Sequence, residues 1–170
     1  MIDVVPRVRL AVVCGNPKPK SRTLEAALFV AERLKGAPPD VVLDLVDIGP
    51  HLLGWGDPVA TEAVESVRQC DAAIYASPTY KGTYTGLLKL FLDQVPTDGL
   101  AGTLAFPLML GAAMGHAMAP EVLLKPVLVE LGASCPARGL YLLETDYTSE
   151  AVIDPWIART VPFLAVSQRR

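Results

Sequence analysis

The sequence predicts an α/β fold in which a parallel sheet carries helices on both faces. Short, continuous apolar runs alternate with longer amphipathic stretches along the chain, and the first run, ending at Cys14, has the mark of a strand buried on both faces. At 170 residues the chain has the length of one domain, about 150 residues being typical. Folding should bury about 70% of the extended-chain surface, enough for a core without disulfides or a structural metal.

The first strand is Val8 to Cys14, ended by Gly15. A loop of Pro and Lys follows, and then Thr23 to Lys35 places Leu24, Ala27, Leu28, Ala31 and Leu34 at helical spacing. Gly36 and the two prolines after Ala37 stop that helix. Val41 to Ile48 reads as the second strand, His51 to Val59 as a loop, and Thr61 to Gln69 as a helix. The third strand is Asp71 to Ala76, ending at Ser77-Pro78; a helix spans Gly86 to Val95. Thr103 to Leu110 is the fourth strand, with Pro107 suggesting a bulge or an irregular edge. A helix from Pro120 to Leu131, a strand from Gly139 to Leu143 and a helical tail from Ser149 to Val166 complete the pattern, the tail interrupted at Pro155 and Pro162. Five such alternations suit a flavodoxin-like three-layer sandwich with a five-stranded parallel sheet in the order 2-1-3-4-5. The whole chain, residues 1–170, then forms a single domain.

In such sheets ligands lie beyond the carboxyl ends of the strands, at the switch point between strands 1 and 3. Three loops meet there. The loop after strand 1, Gly15 to Thr23, opens into a helix, whose free N–H groups and positive dipole end favour a phosphate. Ser21 and Thr23 add hydroxyls and Arg22 a bidentate fork; an ordinary N-cap with solvated lysines explains the same residues. It is neither a Walker loop nor GxGxxG. The loop after strand 3, Ser77 to Gly86, sets two tyrosines among small residues and suits a flat ring. The loop after strand 4, Gly111 to His116, would let a ligand lie against backbone.

Lys20-Ser21-Arg22-Thr23-Leu24 together with Ser77-Pro78-Thr79-Tyr80-Lys81-Gly82-Thr83-Tyr84-Thr85-Gly86-Leu87-Leu88-Lys89 resembles the NAD(P)H-dependent FMN reductases, in particular the reductase components of two-component alkanesulfonate monooxygenase systems. Gly115-His116 and Leu124-Lys125-Pro126 extend the likeness. The resemblance implies that Ser21, Arg22 and Thr23 hold the FMN phosphate. It implies that Pro78, Thr79, Tyr80, Lys81 and Gly82 line the isoalloxazine, with Gly111, Ala112 and Gly115 supporting its other edge. Asn16, Lys20 and His116 complete that cofactor-binding set. Where some sulfonate-system reductases carry an inserted Tyr in the fourth helix, this chain has Val122. The implied activity is hydride transfer from NAD(P)H to flavin N5, which needs no side-chain acid or base. The implied assembly is a homodimer or homotetramer, and the implied partner a flavin-dependent monooxygenase. Alternatives are an FMN-bound quinone, azo or metal-ion reductase and a flavodoxin-type electron carrier, although Lys18, Lys20 and Arg22 sit poorly with a carrier's uncharged phosphate loop.

A low-molecular-weight phosphatase is a further alternative, with Cys14 as nucleophile and Asp154-Pro155 as the acid loop. Its loop needs Arg after five intervening residues, and Lys20 stands there. Cys14, Cys70 and Cys135 read as reduced thiols, and with only His51 and His116 the sequence offers no HExxH or Cys/His cluster for a structural zinc site. A net charge of −3 and the short Arg169-Arg170 tail argue against nucleic acid. No apolar run is long enough for a membrane span and the N-terminus lacks a secretory pattern, so a soluble, cytoplasmic protein is expected. Trp55 reads as a local packing residue.

Overall fold

The structure, a computed structural model, describes residues 8–167; the first seven residues and the Arg169-Arg170 pair lie outside the described residues. Five parallel strands form one sheet in the order β2-β1-β3-β4-β5. They are β1 (Leu10–Cys14), β2 (Val41–Asp44), β3 (Ala72–Pro78), β4 (Leu104–Gly111) and β5 (Leu140–Leu143). The helices are α1 (Arg22–Lys35), α2 (Pro58–Arg68), α3 (Gly86–Asp93), α4 (Lys125–Glu130) and α5 (Glu150–Ser167). The expected flavodoxin-like architecture is present. Alternation along the strands explains the unbroken apolar runs: Ala11, Val13, Ala73 and Tyr75 enter the core beneath α2, α3 and α4. Leu10, Val12, Ala72 and Ile74 enter the core shared with α1 and α5.

Helix α1 begins and ends on its own local signals. Ser21 is the N-cap, its Oγ accepting from Leu24 N–H at 3.2 Å, and Gly36 closes the helix at φ 75° with its N–H on the Glu32 carbonyl. Ser21→Ala is expected to lower stability by about 1 kcal/mol, a Tm fall of roughly 2 to 4 °C. A thermal melt that does not move would remove the cap from the account.

Four expectations need correction. The second strand stops at Asp44, and Leu45–Leu53 is 3-10 helix; Leu45 and Ile48, three apart, turn inward together with Leu52. Pro107 causes no bulge, because the β3–β4 register runs unbroken through Tyr75↔Pro107. Leu104 N–H points to β3 and Ala105 N–H to Ser134, so by alternation the Pro107 nitrogen faces β5. Pairing with β5 begins only at Leu108↔Leu140, so no ladder bond is missed there. The fourth helix opens with a π-helical turn, Pro120–Leu124, in which Lys125 N–H reaches the Pro120 carbonyl. Pro126 has no N–H for the Val122 carbonyl and its ring crowds it, and the wider turn relieves both. Finally, α5 runs through Pro155 and Pro162. Seven residues apart, both lie on the exposed face, where freed carbonyls reach water, while Ile153 and Leu164 are anchored in the core.

Candidate functional site

Ser21 caps α1 with its side chain and Glu25 N–H returns to the Ser21 carbonyl. The N–H groups of Arg22 and Thr23 are left without an acceptor among the described residues. They open into a cavity of about 270 Å³ lined by Asn16, Lys18, Lys20, Ser21, Arg22 and Thr23 from one loop and by Pro78, Tyr80, Leu110 and Glu144 from the others. The β1 loop is tightly held. Asn16 donates through Nδ2 to the Thr23 hydroxyl at 3.0 Å and accepts from Lys18 N–H at 2.9 Å. Lys20 takes a left-handed φ of 50°, fixed by its N–H on Asp44 Oδ2 at 3.1 Å. The other Asp44 oxygen is buried without a partner, and burial raises this carboxyl above its usual range.

Gly15 lets the loop lie against α3. Its N–H bonds to the Ala76 carbonyl, and a Cβ there would stand 2.5 Å from Leu88 Cβ. Thr85 locks the two together: its hydroxyl donates to the Gly15 carbonyl and accepts from Leu88 N–H as the N-cap of α3.

After β3, Tyr80 and Thr83 exchange both backbone hydrogen bonds. Between them Lys81 and Gly82 have φ 53° and 84°, which makes this a type I′ hairpin. Thr79 stays on the sheet edge through its N–H to the Leu110 carbonyl, but its buried hydroxyl has no partner. Beside it Gly111 leaves room for Tyr141, whose hydroxyl would collide with a Cβ there and instead donates to the Ala113 carbonyl at 2.8 Å. That bond holds the loop after β4. The His116 ring lies close to Gly82, 3.6 Å from where its Cβ would be, so the β3 and β4 loops meet at the rim.

A helix end with two free N–H groups thus stands beside a hairpin and a small-residue loop, all at the carboxyl edge of the sheet. Comparison with known proteins is decisive at this point, because the model of the family described as NADPH-dependent FMN reductase matches residues 8–148. The chain belongs to this family. An FMN reductase (NADPH) of Escherichia coli (strain K12) is 31% identical over 138 residues, 79% of this chain and 72% of that protein. The NADH-dependent FMN reductase SfnF of Pseudomonas fluorescens (strain Pf0-1) is 29% identical over 150 residues, 82% of this chain and 79% of that one. The solved apo form of an NADH:FMN oxidoreductase (EMOB) superposes with a TM-score of 0.82 at 26% identity, covering 95% of this chain and 90% of that one. The protein is an oxidoreductase of the NAD(P)H-dependent FMN reductase type, with FMN and NAD(P)H as its cofactors.

Within the reductase, Asn16, Lys20, Ser21, Arg22, Thr23, Pro78 and Tyr80 share the cavity wall. Thr79, Lys81, Gly82, Gly111, Ala112, Gly115 and His116 stand outside it, in the two loops that form the rim. Four residues escaped the sequence reading: Asp44, Thr85, Tyr141 and Glu144. Glu144 has the largest consequence, because its carboxylate takes the Arg22 guanidinium at 3.1 Å. Trp55 does not pack locally; it is 81% exposed.

The phosphatase alternative fails on chemistry. Cys14 is fully buried, and burial pushes its thiol up to about 11, so it is not a thiolate at neutral pH. Asp154 pairs with Arg33 near the far end of α1, about 16 Å along the helix from Arg22. Among the described residues no cluster of three or more His, Cys, Asp or Glu is placed to hold a metal ion, and no helix is long and apolar enough to cross a membrane.

Proposed function

We propose that the reductase seats the FMN phosphate at the N-terminus of α1, with Ser21, Arg22 and Thr23 as its main contacts and Asn16 and Lys20 shaping the loop. The observation that carries this reading is the pair of free N–H groups, Arg22 and Thr23, opening into the cavity that also reaches Pro78 and Tyr80. A volume of about 270 Å³ suits the phosphate and ribityl end of the cofactor. The flavin ring would then lie outward over Thr79, Tyr80, Lys81 and Gly82, with Gly111, Ala112, Gly115 and His116 along its other edge. When bound, FMN supplies a two-electron acceptor for the nicotinamide hydride. The chain's residues hold and orient; none is assigned as an acid or base.

Large apolar side chains stand exposed along the rim. Tyr80, Met114, Met118, Val122 and Leu123 are all exposed there or on the adjoining π-turn, which supports a homodimer or homotetramer that covers the ring. We further propose that the whole chain acts as one FMN-binding domain, in the cytoplasm, and that a flavin-dependent monooxygenase takes the reduced product.

The test is NADH and NADPH oxidation by purified protein with and without added FMN, together with the visible spectrum as isolated. Turnover that requires and scales with free FMN is the expected result. A yellow protein that turns over only with quinone or dye would shift the reading to a bound-flavin reductase. No flavin binding at all would remove the site assignment.

A further inference from the structure

We propose that Glu144 is a built-in competitor for the FMN phosphate, and that it holds flavin affinity at a level that permits exchange. The proposal rests on the phosphate reading of the α1 terminus.

A carboxylate and a phosphate make the same demand on arginine, namely two N–H donors presented in one plane. In this structure Glu144 occupies both arms of the Arg22 fork, one with a carboxylate oxygen and the other with its backbone carbonyl. Arg22 Nη2 donates to Glu144 Oε2 at 3.1 Å, and Arg22 Nη1 donates to the Glu144 backbone carbonyl at 3.3 Å. The two residues line the same cavity as the free N–H groups. This is more than two long side chains meeting at a surface. Glu144 follows β5 directly, and its N–H donates to the Gly111 carbonyl at 3.0 Å, so the sheet itself sets its position.

The other loop cations behave differently. The ammonium groups of Lys18 and Lys20 form no salt bridge among the described residues, and Lys20 meets Asp44 only through its backbone N–H. Only the residue with a phosphate-matching fork is taken. The pair is also open enough to exchange: the Arg22 side chain is 57% exposed and that of Glu144 32%. An incoming phosphate can therefore displace the carboxylate, because an exposed ion pair is weak.

Glu144 then acts against binding twice. It must give up Arg22, and it leaves a negative charge beside a dianion. When flavin departs, the carboxylate returns and the guanidinium is never left without a partner. A site built this way suits flavin that enters and leaves as a substrate. No bond is made or broken; the event is an exchange of one anion for another.

Dissociation constants for FMN and for riboflavin, which lacks the phosphate, test the proposal in the wild type, Glu144→Gln and Arg22→Ala. Glu144→Gln keeps the shape and removes the charge. It is expected to tighten FMN about three- to tenfold, with a parallel fall in the KM for FMN, while riboflavin changes by less than about twofold. If Arg22→Ala weakens FMN but Glu144→Gln leaves it unchanged or weaker, Glu144 positions Arg22 for the phosphate and the proposal is overturned. If Arg22→Ala leaves FMN affinity unaltered, the phosphate reading itself falls and this proposal falls with it. Loss of riboflavin binding in Glu144→Gln would signal a folding defect, and Glu144→Ala then gives the same reading. Loss in both variants makes Glu144 structural and overturns the proposal.

Discussion

Arg22→Ala is expected to raise the FMN dissociation constant while leaving riboflavin binding unchanged. A charged contact to phosphate is worth about 1.5 to 3 kcal/mol, or roughly ten- to 150-fold in affinity. The structure favours the lower end. The Arg22 side chain is 57% exposed, so solvent screens it, and its guanidinium leaves a carboxylate in order to meet the phosphate. The net gain is a difference between two ion pairs, which places the expected loss near tenfold. Arg22→Lys should recover only part of it, since an ammonium offers a point charge in place of a fork. Titration of the two flavins by fluorescence quenching decides the matter. An equal loss for riboflavin would mean that Arg22 shapes the loop and does not touch phosphate.

Gly15→Ala should be strongly destabilising. The added Cβ would stand 2.5 Å from Leu88 Cβ and 3.1 Å from Leu88 Cα. Leu88 is fully buried in α3, so neither its side chain nor its backbone can step aside cheaply. Overpacking of this kind costs typically 1 to 3 kcal/mol, and the involvement of helix backbone sets the upper part of that range. A Tm fall of roughly 5 to 10 °C follows. The Thr85 hydroxyl bond to the Gly15 carbonyl would be strained as well, so the FMN affinity should drop with stability. An unchanged melting temperature would show that α3 can move away, and would sink the close-contact argument.

The elements were legible where the physics is local. The inner strands β1, β3 and β4 were visible because they are buried on both faces and therefore almost wholly apolar. Helix α1 was legible at both ends from Ser21 and Gly36. The second strand was overread because Val41 to Ile48 is apolar enough for either structure. Edge position and the packing of Leu45 and Leu52 under α2 and α3 decided its change to 3-10 helix.

The loops that carry the site were also readable, since parallel sheets place their working loops on one edge. Their internal bonding was not. Lys20 and Lys81 adopt left-handed backbone that the residue type disfavours, and only Asp44 in one case and the Tyr80–Thr83 pairing in the other accounts for it.

The sequence by itself determined the α/β class and the likeness to flavin reductases, and it predicted the strand order that the structure shows. The class and the likeness rest on periodicity within single elements and on residues adjacent in the chain; the strand order rests on how chains of this length and alternation pack. Only the tertiary structure decided what Arg22 faces. Glu144 lies 122 positions away, Thr85 is 70 from Gly15, and Tyr141 is 28 from Ala113. Such contacts exist only after the sheet has closed and brought the ends of its strands together. A linear pattern holds no signal for them, because sheet pairing, and not chain proximity, sets the distance.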